Sequence, residues 1–167
     1  MANFRESNLN FFLEQWERVI RWRNQCMVIC NNAIHDEGAN PYDFYEAFFI
    51  NAFHLKDWVY EWAKINKRFD LIAKLKDDFN KIFFLMLLRD IANGSKHFTL
   101  NKAYIGRQFA IVREYSLGSI QSVILIGGKK YPLGDLANDV FEYWKNFFES
   151  NDLNKFSHNV NYTLPFD

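Results

Sequence analysis

Apolar residues return at helical spacing through the first half of the chain. Leu9, Phe12, Trp16, Val19, Ile20, Met27 and Cys30 form one stripe, interrupted by Arg23, and predict an amphipathic helix over residues 8–30. A polar stretch with Asn31, Asn32, His35, Asp36, Gly38 and Asn40 predicts a loop. Asn40-Pro41 then marks a helix start, since asparagine caps well and proline at the first helical position gives up no needed N–H. Phe44, Phe48, Ala52, Leu55, Val59 and Trp62, widened by Phe49 and Phe53, predict a second helix over 41–66. A third is predicted over 70–93, with Leu71, Ile72, Leu75, Phe79, Ile82 and Phe83 inward and an all-apolar run to Leu88 that suits a central position. Asn93-Gly94 is its expected stop.

The period then changes. Two β-branched and aromatic runs, 109–115 and 119–126, are separated by Leu117-Gly118, and Gly127-Gly128 precedes a short Lys129-Lys130-Tyr131 segment. These predict an antiparallel β-meander over about 107–131. Leu136, Val140, Phe141, Trp144, Phe147 and Phe148 mark a last helix over 135–149, and 151–167 reads as an irregular tail. The expected fold is mainly α: one domain, a bundle of about four long helices with a small β-meander before the last.

Composition narrows this picture little. The chain has 167 residues, 49% of them hydrophobic, enough for a core. Twenty basic and twenty acidic residues cancel, which argues against non-specific coating of nucleic acid. The aromatic fraction, with 18 Phe, accompanies many Asn and Lys, a combination that an AT-rich genome encodes without any functional demand. No apolar run reaches the ~20 residues of a membrane span, and the N-terminal stretch has no signal core. A cytoplasmic protein away from membranes is the expectation.

Candidate chemistry gathers after the greasiest segment. IFFLMLL runs into RDIANGSKHF, residues 89–98. On a continuous helix Arg89, Asn93 and His97 would share one face; if the helix ends at Asn93, His97 lies just beyond it. Arginine grips phosphate with two donors, and histidine moves a proton near neutral pH. Together they suit cleavage of a phosphodiester by a 2′-hydroxyl, with Lys96 and Asp90 as binding groups. The bland alternative has Arg89 pairing with a carboxylate, Asn93 capping and His97 packing at an edge. A second constellation is His54 with Asp57 on the second helix, where Asp57 could fix one histidine tautomer. Cys26, Cys30 and His35 lack a fourth ligand for zinc, and no metal or cofactor is expected. Arg18, Arg21 and Arg23 with Trp22 make a basic patch, but Glu14 and Glu17 beside it favour a solvated, ion-paired face. Walker, GxGxxG and GxSxG motifs do not occur.

RDIANGSKHF, with FHLKDW at 53–58, resembles stretches of uncharacterised bacterial helical proteins. An arginine followed by a histidine in a helical bundle also resembles the HEPN superfamily. That resemblance implies either a metal-independent ribonuclease of a toxin–antitoxin or defence system, or a non-catalytic bundle that binds nucleotides or partners. It implies a homodimer with two motifs in one cleft, and maps the motif onto Arg89 and His97. The superfamily's spacer is usually shorter than the seven residues found here, and its basic bundle has no β-meander. Two functions follow as expectations: an interaction or dimerisation module, self-paired or bound to a partner protein; and, as the alternative, an RNA-cleaving enzyme using Arg89 and His97 with Asn93 and His54.

Overall fold

A computed structural model describes residues 11–31, 41–94, 109–116 and 119–153. Five helices and three strands follow in the order α1 (Phe11–Asn31), α2 (Pro41–Ile65), α3 (Phe69–Lys81), α4 (Phe83–Gly94), β1 (Phe109–Ser116), β2 (Ser119–Ile126), β3 (Lys129–Pro132) and α5 (Leu133–Ser150). The fold is mainly helical with the small antiparallel sheet placed before the last helix, as the hydrophobic pattern predicts.

Helix α2 is the central element and packs against each of the other four helices. Its predicted stripe is the buried one, from Phe48 through Ala52, Leu55 and Val59 to Trp62. Aromatic rings fill the space between α1, α2 and α5. Phe12 meets Trp62 edge-on at 5.1 Å, and Trp16 stacks on Phe141 at 5.1 Å. The buried Trp144 indole N–H of α5 donates to the Ala52 carbonyl of α2 at 3.1 Å, so this large ring is seated without an unmet donor. All six apolar positions expected on the last helix are buried.

Three expectations change in detail. The helix predicted over 70–93 is two helices. Ile82 is extended (φ −83°, ψ 118°), its N–H still donating to the Asp78 carbonyl at 2.9 Å to close α3. Its carbonyl then accepts from Leu85 and Met86 to open α4. One residue thus serves both helix ends, without the glycine or proline that usually signals a break. The break turns Phe83 outward, to 41% exposure, where the pattern had it facing in; its ring packs against Tyr131 of β3 at 5.6 Å. On α1, Met27 is likewise exposed and Gln15 is buried in its place on the stripe.

The sheet has strand order β1-β2-β3. Strands β1 and β2 pair from Phe109 with Ile126 to Ser116 with Ser119. β2 returns to β3 through Gly127 and Gly128, both with positive φ (55° and 80°), the geometry a two-residue hairpin requires. Ile124 and Ile126 of β2 join the core shared with α5.

Candidate functional site

Arg89, Asp90 and Asn93 all lie in the last two turns of α4, and the structure places them in different surroundings. Asp90 is completely buried. A carboxylate is held away from water only when the surrounding structure satisfies it, so Asp90 belongs to the packing of α4. Arg89 is half-buried and donates from Nη1 to Asn80 Oδ1 of α3 at 3.4 Å, reaching back across the Ile82 break. Asn93 sits one turn beyond Arg89, half-buried, beside the final Gly94. The described helix reaches Gly94, the second residue of the expected Asn93-Gly94 stop. Lys96 and His97 lie outside the described residues.

His54 and Asp57 are on α2, as predicted. Asp57 is exposed, and its carboxylate lies 3.2 Å from the Lys56 ammonium. Lys56 in turn rests over the Phe53 ring at 4.4 Å. His54 is half-buried, its ring 6.3 Å from that of Phe53. Cys26 is buried and unoxidised, as small apolar cysteines commonly are. Among the described residues no three His, Cys, Asp or Glu side chains converge to hold a metal ion. Nor is any described helix long and apolar enough to cross a membrane.

The basic patch of α1 is tied into the fold. Arg18 donates to the buried Gln15 Oε1 at 3.0 Å and lies over Trp58 at 5.7 Å. Gln15 donates to both the backbone and side-chain oxygens of Asn51 on α2. Arg23 covers the Phe141 ring at 4.2 Å and donates to Asn138 Oδ1 at 3.2 Å. Burial pushes its pKa down, offset by the nearby Glu142 charge. Arg18 and Arg23 tie α1 to α2 and α5, Arg18 while still largely exposed, and Arg21 lies at the surface beside Glu17.

The sequence places a junction between residues 66 and 70, with Lys64, Lys67 and Arg68 as cations at the helix end, but not the form of the corner between α2 and α3. There Lys67 adopts a left-handed conformation (φ 57°), Lys67 N–H donates to the Lys64 carbonyl and Arg68 N–H to the Ala63 carbonyl. This is a Schellman cap with lysine where glycine is usual. Ile65 and Phe69 flank it, each 64% exposed. The rim carries both signs: Lys64 pairs with Glu61 at 2.8 Å and Arg68 with Asp70 at 2.8 Å. The hydrogen bond from Arg68 holds the Asp70 carboxyl below its ordinary range. The missed signal was Ile65 and Phe69 themselves, apolar residues at a helix junction outside either stripe.

Protein-family models, curated proteins and solved structures contain no match to this chain.

Proposed function

We propose that the protein is a non-catalytic interaction module that pairs with a second copy of itself through the α2–α3 corner. The observation carrying this reading is the exposure of Ile65 and Phe69, two large apolar side chains at one junction of a chain that buries most others. Exposed apolar anchors are what an interface core desolvates. The rim supports a second copy over a strongly charged partner. Glu61 and Asp70 lie among Lys64, Lys67 and Arg68, so a two-fold axis can set each sign against its opposite. The zero net charge of the chain is in keeping with self-association. Sedimentation equilibrium over a range of concentrations tests it. A dimer is expected for the parent chain and a monomer for Ile65→Ser/Phe69→Ser with an unchanged melting temperature. A monomeric parent at every concentration would remove the reading.

A ribonuclease of HEPN type is the second reading. It rests on Arg89 and Asn93 lying one turn apart near the end of α4, on the segment that leads to His97. Cleavage of mixed-sequence RNA in EDTA, abolished by His97→Ala, is its expected signature. Equal inertness of both proteins removes it.

A further inference from the structure

A groove of about 400 Å³ runs between α5 and the α3–α4 junction. Its α5 wall is a single stripe: Asp139, Glu142, Tyr143, Asn146, Phe147 and Ser150, spaced i, i+3, i+4, i+7, i+8 and i+11. At 1.5 Å per residue that stripe is ~16 Å long. The opposite wall offers Ile82 and Phe84, then Asp78 and Lys74. Phe84 and Tyr143 meet edge-on at 6.2 Å and Tyr143 leans on Phe147 at 6.0 Å, so the middle of the groove is an aromatic floor.

The polar groups around that floor are unevenly committed. Asp78 is already held on one oxygen: its Oδ2 accepts both from the Tyr143 hydroxyl at 2.8 Å and from the Lys74 ammonium at 3.0 Å. That uses the only cation in the groove wall. Glu142 has Lys145 at a loose 3.8 Å, and Arg23, held over Phe141, also senses its charge. Asp139 has no ion pair among the described residues. Asn146 and Ser150 add neutral acceptors at the far end.

We propose that this groove binds a linear aliphatic polyamine, its methylenes on the half-buried rings of Phe84 and Tyr143, which the buried Phe147 backs, and its ammonium groups on Asp139 and Glu142. The chemistry excludes the alternatives in turn. An anion would meet carboxylates, with Lys74 already spoken for. A purely apolar ligand would strip water from Asp139 and Glu142 and return nothing. A hydrated metal ion would leave the aromatic floor unused. An alkylammonium chain satisfies floor and rim together, through apolar contact, cation–π attraction and charge pairing. The length of the stripe matches an extended chain better than a compact cation.

Calorimetric titration of spermidine into the full chain at low salt tests this, with magnesium chloride as a competitor. Saturable one-site binding is expected, weakened about tenfold or more, or ~1.4 kcal/mol, in Asp139→Asn/Glu142→Gln. Both replaced side chains are exposed, so the melting temperature reports that the variant still folds. Magnesium should displace spermidine only at concentrations where simple screening acts. Non-saturable heats, equal binding by the double variant, or displacement by equimolar magnesium would each overturn the proposal.

Discussion

Lys67 is the residue whose local conformation and identity disagree. Its φ of 57° lies where a side chain crowds the backbone, at a cost of about 1 kcal/mol for an L-residue. The Schellman bonds of Lys67 and Arg68 hold it there. Lys67→Gly is expected to raise stability by about 1 kcal/mol, less the extra freedom glycine gains in the unfolded chain, measured by urea unfolding. Tyr143 supplies a second residue-scale prediction. Burial, then its hydrogen bond to Asp78, raises its pKa well above the ordinary 10. Tyr42 is pushed up to about 12, chiefly by burial and then by Glu46 and Asp43. For both, the unfolded chain releases its proton at lower pH than the folded one. Their stabilisation is whole below pH 10 and drains away as pH rises past it. Tyr143→Phe should cost about 1 kcal/mol near neutrality by losing one hydrogen bond. Its alkaline decline should be shallower than the parent's, though not flat, because Tyr42 remains. Parallel declines in unfolding titrations from neutral to alkaline pH would show that Tyr143 ionises equally in both states.

At the scale of elements, the period of the hydrophobic pattern was enough to locate α1, α2, α5 and the meander, and to find α3 and α4 as one merged helix. The helices bury the stripes that the pattern marked, and α5 does so at every expected position. Ile82 escaped because a break made by a β-branched residue leaves the stripe almost in phase. Phe79, Leu85 and Leu88 are buried on either side of it. Gln15 escaped because its amide N–H groups find their acceptors on Asn51, a partner 36 residues away. Of the candidate site, the grouping of Arg89, Asp90 and Asn93 on one helix was legible. Their separation into a buried carboxylate and a guanidinium reaching Asn80 was not, since it depends on where α3 lies. The β2–β3 turn was legible to the residue, because two adjacent glycines answer a turn needing two positive φ angles, while β3 runs one residue further, to Pro132. Gly128, at φ 80°, has open space where a Cβ would sit, so Gly128→Ala is penalised by backbone strain alone, by about 1 kcal/mol. Gly127→Asn, at φ 55°, should be neutral or mildly stabilising, as asparagine suits the first position of this turn. Thermal melts of the two variants should therefore move apart. If both fall equally, the turn is not of this type.

For the whole molecule, the two proposals fall on different surfaces of one core. The corner at Ile65 and Phe69 is apolar with a rim of both signs, the character of a surface that meets protein. The groove along α5 is aromatic with an acidic margin, the character of a surface that meets an organic cation. They share no residue. The groove's α3 wall, Lys74 and Asp78, lies about one and a half to two and a half turns beyond Phe69 on the same helix. α3 packs on α2 through Leu71, Leu75 and Phe79 and keeps its polar side outward, so a dimer held at the corner has no need to close the groove. Ile65→Ser/Phe69→Ser is accordingly expected to abolish self-association while leaving spermidine binding within about twofold of the parent, or ~0.4 kcal/mol. Asp139→Asn/Glu142→Gln should do the reverse, with sedimentation unchanged. The crossed measurement discriminates between independent surfaces and a linked pair. If the corner variant loses both properties while its melting temperature holds, the groove is completed by the second copy, and binding and dimerisation are coupled, each strengthening the other by the same factor.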